Sequence, residues 1–247
     1  MLVRPDMSRR PQPLPLRAPD LDRSVLLWRF SAWLPYNFRM IEPVARVRIK
    51  LRKVRPTVWR RVDVPLSYTL EELHEIIQVT MGWRNSHLHE FAIGERVYAA
   101  LDPDRDFGGH DVHDASSVGL KTVIERGHRR FDYLYDFGDG WEHDVSVEDV
   151  REGAADVDYP ALVGGARRCP PENVGGPPGL GRFLKAVLDP AHQEHREMIE
   201  WYGKPYDPAD IDEGLVRTRL EHLASLRRGA ASRRRRGGRR SGKTGRR

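Results

Sequence analysis

The chain has 247 residues, 39% hydrophobic and 32% charged, enough for one large folded domain with a very polar surface. It shows no apolar run of about 18 residues and no secretory leader pattern, and its single cysteine, Cys169, excludes an intrachain disulfide, so a cytoplasmic protein with no membrane partner is expected. The net charge of +6 sits at the ends: residues 226–247 hold ten Arg and one Lys without an acid, residues 1–40 hold seven Arg against three Asp, and 41–225 keep 24 basic against 33 acidic residues.

Residues 1–40 are rich in Pro and Arg and lack sustained periodicity, which predicts a disordered or weakly ordered leader. From Glu42 the pattern changes. In "ARVRIKLRKV", Val47, Ile49 and Leu51 alternate with Arg48, Lys50 and Arg52, the period of a strand with one wet face. "RPTVWRRVDVP" follows, with Pro56 in a turn and Val58, Arg60, Val62 and Val64 on one side, so the two strands predict a hairpin. "SYTLEELHEIIQVTMGW" predicts a helix: Thr69 and Glu72 fit a capping box, and Leu70, Leu73, Ile76, Ile77 and Met81 recur at helical spacing. Gly82 is its expected stop. "HLHEFAIGERVYAA" predicts two strands about a turn at Gly94-Glu95, and residues 102–117 a polar loop.

"RRFDYLYDFGDGWEHDVSVEDV" is the clearest hairpin. Phe131, Tyr133 and Tyr135 alternate on one arm, Trp141, His143, Val145 and Val147 on the other, and Gly138-Asp139-Gly140 forms the turn. After Gly153, "RRCPPENVGGPPGL" reads as irregular. Helices are expected over "GRFLKAVLDP", "AHQEHREMIEWYG" and "DPADIDEGLVRTRLEHLASL", and a disordered Arg-rich tail over 226–247. The class is α+β: a mixed sheet with a β-grasp-like β-β-α-β-β start, a further hairpin and C-terminal helices, in one domain over 41–225.

Six motifs occur in fixed order: "RPTVWRRVDVP", "TLEELHEIIQVTMGW", "HLHEF", "YDFGDGWEH", "CPPENVGG" and "WYGKPYDPADID". Together they resemble the plasmid pRiA4b ORF-3-like family over roughly residues 43–215, leaving the two ends outside. The resemblance implies a stand-alone α+β domain associated with mobile elements. Family labels suggest a resolvase-like role, but no serine or tyrosine nucleophile within an arginine cluster is evident. The function expected is a binding or interaction domain with a mobile-element or nucleic-acid association; the alternative is a metal-dependent enzyme of hydrolase type with a His/Asp site.

Three readings compete for the histidines. His87 and His89 lie two apart on an expected strand, and Asp139 and His143 lie on the later hairpin. If the hairpins are neighbours, three His and one Asp converge as ligands for a divalent transition metal such as Zn, Mn, Ni or Fe, with Glu90 or Glu142 as base on bound water. Alternatively, Asp136 and Asp139 hold the turn through backbone N–H groups, Gly138 and Gly140 supply positive φ, and the imidazoles are neutral hydrogen-bonding groups. The third reading is a ligand groove lined by Tyr135 and Trp141 without metal. Cys169 reads as a small buried residue rather than a nucleophile. "KLRKVRPTVWRR" reads as a solvated strand face or as phosphate contacts beside Trp59, and His192 with His195 as a weak helical pair. Arg233, Arg234, Arg235 and Arg236 are the expected contacts to nonspecific nucleic acid.

Overall fold

A computed structural model of the chain describes residues 42–101 and 111–241, with side chains as far as residue 230. The leader 1–40, residues 102–110 of the polar loop, and the side chains of Arg233 to Arg236 lie outside the described residues. The described residues belong to one compact unit that begins at Ile41. Its strands are β1 (Pro43–Leu51), β2 (Trp59–Pro65), β3 (His89–Ile93), β4 (Arg96–Ala99), β5 (Val112–Asp114), β6 (Arg130–Tyr135), β7 (Trp141–Glu152) and β8 (Ala161–Ala166). Its helices are α1 (Leu70–Met81), α2 (Leu120–Glu125), α3 (Gly176–Leu188), α4 (His195–Tyr202) and α5 (Glu213–Ser241).

The strands form one sheet in the order β5-β4-β3-β6-β7-β1-β2-β8. All pairs are antiparallel except β4 with β5, which makes the sheet mixed and the class α+β. The β-β-α-β-β order is present, but the two opening hairpins do not touch. The β6-β7 hairpin lies between them, pairing β6 with β3 and β7 with β1. This insertion places the histidine-bearing β3 directly beside "YDFGDGWEH".

Alternation decides which residues enter the core. Val47, Ile49 and Leu51 of β1, Arg60, Val62 and Val64 of β2, Phe131, Tyr133 and Tyr135 of β6, and Trp141, His143 and Val145 of β7 are all buried. Helix α1 covers this face with Leu70, Leu73, Ile76, Ile77 and Met81, all nearly inaccessible. Its ends form as the sequence dictates. The Thr69 side chain accepts from the Glu72 N–H while the Glu72 carboxylate accepts from the Thr69 N–H, and Gly82 leaves in the left-handed region at φ 84°.

Four features depart from the sequence expectations. Strand β8, "ALVGGA", has no apolar alternation and exists because β2 offers it an edge. The loop 102–117 contains β5 and a short 3-10 turn at Ala115–Ser117, and α2 follows unannounced. Helix α3 begins at Gly176 rather than Gly181, because Pro177 and Pro178 occupy first-turn positions where an N–H is not required. Helix α5 runs past Leu226 instead of yielding to a tail there. Arg227 anchors it: its Nε lies 3.0 Å from Glu72 Oε1, and its guanidinium lies 3.7 Å from the Tyr68 ring centroid. Arg228 adds an ion pair with Asp158 at 2.9 Å.

Candidate functional site

The inner face of β3, β6 and β7 carries a layer of buried polar side chains. His74 of α1 lies flat on His89 of β3, with ring centroids 3.5 Å apart and planes 7° from parallel. The His74 Nε2–H donates to Asn85 Oδ1 at 2.7 Å, and its Nδ1 accepts from the Tyr133 hydroxyl at 2.7 Å. That hydroxyl in turn accepts from Gln78 Nε2 at 3.1 Å. Every ring nitrogen of His74 is therefore satisfied by a neutral partner, as a buried imidazole requires. Burial and the neighbouring His89 lower its pKa from 6.5 to about 4. On the other side of the stack, His89 Nε2 faces Glu71 Oε2 at 3.5 Å, and His89 holds that carboxyl below its ordinary range despite its partial burial.

The four residues singled out in the sequence do not close into one centre. His89 joins Glu71 and His74, whose potential ligand atoms lie within 4.8 Å of one another. His87 precedes β3 and turns to Asp136, with Nε2 3.4 Å from Oδ2. His143 lies one strand further on, wholly buried against the edge of Trp83 and beside Tyr133. Its Nδ1–H donates to the Tyr133 carbonyl at 3.3 Å, its Nε2 has no hydrogen-bond partner among the described residues, and burial lowers its pKa to about 4. Asp139 turns instead to the Gly175 N–H. Glu90 and Glu142 alternate with His89 and His143 and so face the opposite side of the sheet, where Glu142 pairs with Lys53 at 2.6 Å. Neither is placed to serve as a base beside the histidines. Glu71 and His74 were not singled out in the sequence, although His74 stands four residues after Leu70 on the apolar stripe.

The Glu71, His74 and His89 group is the one set of three among the described residues with metal-ligand proximity. Its geometry opposes ligation as it stands. An imidazole offers its lone pair in the ring plane, so two parallel stacked rings direct their lone pairs side by side rather than at one ion. His74 would also have to surrender Asn85 or Tyr133.

The turn of "YDFGDGWEH" is held as an Asx turn: Asp136 Oδ1 accepts from the N–H groups of Gly138 at 3.0 Å and Asp139 at 3.2 Å. Positive φ falls on Asp136 at 57° and Gly140 at 66°, not on Gly138. The hairpin then clasps "CPPENVGG". Asp139 Oδ2 accepts from the Gly175 N–H at 3.2 Å, and the Tyr135 hydroxyl donates to Glu172 Oε1 at 2.7 Å. Burial and Glu172 raise the Tyr135 pKa, which keeps that proton in place. Glu172 also accepts from the Arg84 N–H at 3.0 Å, and Trp83 Nε1–H donates to the Pro170 carbonyl at 3.0 Å. Trp83 stacks on Tyr135 at 4.9 Å and lies 6.1 Å from Trp141, so Tyr135 and Trp141 form core rather than groove wall. Gly176 must lack a side chain, since a Cβ there would run into the Asp139 carbonyl.

Behind this clasp lies a groove of roughly 460 Å³, between the end of α1, the 168–173 segment, α4 and α5. Five cations line it (Arg60, Arg84, Arg168, Lys204 and Arg219) against two acids, Glu172 and Asp212. Trp201 stands on its rim, 48% exposed, with its ring edge-on to Phe183 at 5.7 Å. Cys169 is buried in its wall, and burial pushes its thiol up to about 12, so it is neither a thiolate nor a nucleophile.

Of the basic stretch "KLRKVRPTVWRR", Arg60 turns into the core, while Lys50, Arg52 and Arg61 lie on the open face of the sheet, where acids of neighbouring strands take up their charge. Arg61 pairs with Glu148 at 2.6 Å, Lys50 with Asp144 at 3.3 Å, and Arg52 with Asp132 and Asp144. Asp63 bridges Arg46 and Arg151, and although burial opposes its ionisation, those two hydrogen bonds hold its pKa down. Arg48 lies over Trp59 at 5.1 Å. His192 and His195 do not form a metal pair: His192 Nδ1 accepts from the Glu194 N–H, and His195 Nδ1–H donates to the Ala186 carbonyl at 2.8 Å.

A family model described as plasmid pRiA4b ORF-3-like protein matches residues 43–214. The uncharacterized protein y4hQ of Sinorhizobium fredii (strain NBRC 101917 / NGR234) is 40% identical over 188 residues, covering 75% of this chain and 95% of that protein. The crystal structure of MM3350, a protein of unknown function from Methanosarcina mazei Go1, superposes with a TM-score of 0.64 at 28% identity, covering 70% of this chain and 97% of that one. No helix among the described residues is long and apolar enough to cross a membrane.

Proposed function

The chain belongs to the plasmid pRiA4b ORF-3-like family, and on that premise we propose that it is a binding protein for single-stranded nucleic acid rather than an enzyme. The observation that carries this reading is the continuity of α5. Leu215, Val216 and Arg219 of this helix line the cationic groove, and the same helix continues into the segment that holds Arg233 to Arg236. One element thus joins a groove with an aromatic rim to a run of cations without acids, the combination that attracts phosphates and stacks bases irrespective of sequence. The open sheet face contributes little, because most of its cations are already paired with acids of neighbouring strands. A mobile-element setting, suggested by a family described from a plasmid reading frame, fits a protein that meets DNA or RNA, and its proposed location is cytoplasmic.

The test is binding of a fluorescent single-stranded oligonucleotide to the full chain over a salt series. Replacing Arg233, Arg234, Arg235 and Arg236 by Ser should lower affinity and reduce the log-log salt slope by about three, at roughly 0.7 per phosphate contact. Equal affinity and slope would refute the reading. The metal-dependent alternative is favoured only by the proximity of Glu71, His74 and His89. It predicts that Zn, Mn or Ni raises the melting temperature and that Glu71→Gln abolishes the rise.

A further inference from the structure

The groove offers more than general attraction to polyanions. Its two acids are already engaged: Glu172 accepts from Tyr135, the Arg84 N–H and Ser86, and Asp212 lies 3.8 Å from Arg168. Arg168 is held in turn by Asp210 and by the Asp207 carbonyl at 3.0 Å. Arg84 and Arg219 are exposed and form no ion pair among the described residues, and the exposed Lys204 lies 6.0 Å from the Tyr202 ring centroid, with only a through-space attraction to Asp210. They reach the groove from three different elements: the turn after α1, the turn after α4, and α5 itself.

Arg60 stands in the groove wall at 1% exposure. Among the described residues it hydrogen-bonds to carbonyl groups alone, Thr80 at 2.8 Å, Trp59 at 2.9 Å and Ala166 at 3.1 Å, and pairs with no carboxylate. The ionisable groups that act on it electrostatically are Cys169, Arg168 and Tyr206. Burial keeps the first as a thiol and the last as a phenol, so neither supplies negative charge. A buried cation met only by dipoles favours any anion that comes near it. Against a surplus of acids over 41–225, this concentration of cations is local to the groove. The half-exposed Trp201 ring, fixed from behind by Phe183, gives the rim a flat apolar platform.

We propose that the groove binds the phosphate of a nucleoside 5′-phosphate, free or at a strand end, through Arg84, Lys204 and Arg219, with the base stacked on Trp201. A volume of roughly 460 Å³ suits a ligand of this size. The inference rests on the nucleic-acid reading above and names the chemistry that the groove itself selects.

Calorimetric titration of the full chain decides it, with inorganic phosphate, a nucleoside, its 5′-monophosphate, and 5′-phosphorylated and 5′-hydroxyl oligonucleotides as probes. The monophosphate should bind and the unphosphorylated nucleoside should not. Arg84→Ala and Arg219→Ala, both at exposed positions, should each weaken the monophosphate about tenfold, the loss of one charge-assisted contact. Trp201→Ala should weaken the monophosphate and leave inorganic phosphate unchanged. A preference for the 5′-phosphorylated strand assigns the phosphate to a strand end, and equal strand affinities with monophosphate binding intact assign a free nucleotide. No heat from monophosphate or phosphate at about 1 mM, or wild-type affinity in both arginine variants, overturns the proposal. Seryl substitution of Arg233 to Arg236 separates the two readings. If it abolishes strand binding in a protein that never bound monophosphate, the nucleic-acid reading stands and the groove proposal falls. If monophosphate binds and no strand does, the reverse holds.

Discussion

Acidification should unfold this domain through two histidines rather than through its carboxylates. His74 and His143 are buried and neutral, each lowered from 6.5 to about 4. The unfolded chain exposes both. Above pH 6.5 neither state carries the protons, and the two histidines add no pH dependence. Between 6.5 and 4 the unfolded chain binds two protons that the native chain excludes, so stability falls with falling pH by about 2.7 kcal/mol per unit. From neutral pH to 5 the loss is about 4 kcal/mol, a large part of the total stability of an ordinary domain. The carboxylates held low by Arg partners, Asp63, Asp144 and Glu148, act in the same direction but below this window. For His143, burial and Arg52 oppose the charge while Asp144 and the Tyr133 and Trp141 carbonyls favour it, and burial dominates. For His74, burial and the stacked His89 oppose it. His143→Leu replaces a ring whose Nε2 has no hydrogen-bond partner among the described residues with an apolar side chain, and should halve the slope to about 1.4 kcal/mol per unit whatever it does to stability at pH 7. Urea denaturation of both proteins at pH 7, 6, 5.5 and 5 measures the slopes. A wild type with no slope in this range, or a variant with an undiminished one, would mean that the buried histidines do not drive acid unfolding.

Other consequences follow from the polar layer and the clasp. Tyr133→Phe strands His74 Nδ1 and Gln78 Nε2 in the core and should cost about 1–3 kcal/mol in chemical denaturation, and an unaltered midpoint would count against the network. Glu172→Ala frees Tyr135 and the Arg84 N–H. It should cost about 1–2 kcal/mol and speed limited proteolysis within 168–176, whereas equal cleavage rates would mean the clasp contributes nothing. Gly176→Ala combines φ 67° with a collision at the Asp139 carbonyl, so its melting temperature should fall by more than that of Gly181→Ala, where a Cβ meets open space.

The periodic elements were legible from local pattern. The capping box at Thr69, the stop at Gly82 and the alternation through β1, β2, β6 and β7 follow from side-chain spacing, and so does the burial of His143 on the apolar side of its strand, whereas the burial of Arg60 departs from the solvated face expected of "KLRKVRPTVWRR". Strand β8 was not legible, since "ALVGGA" has no alternation and pairs only because β2 leaves an edge. Helix α5 was extended past its expected end by Arg227 and Arg228, whose partners Glu72 and Asp158 lie far away in the chain.

The candidate site divides along the same line. The residues of "HLHEF" and "YDFGDGWEH" declared their importance in sequence, but their partners are set by strand order. Because β6 intervenes, His143 is held a strand away from His89, and His89 instead meets two α1 residues that lie across the sheet. Asp139, which looked like a ligand, caps the "CPPENVGG" segment. Local spacing is enough to say which side chains enter the core, because periodicity is a property of neighbouring residues. Which of them meet, and the gathering of Arg84, Lys204 and Arg219 about one groove, were decided by the tertiary structure, because those contacts join elements distant in the chain that no local spacing encodes.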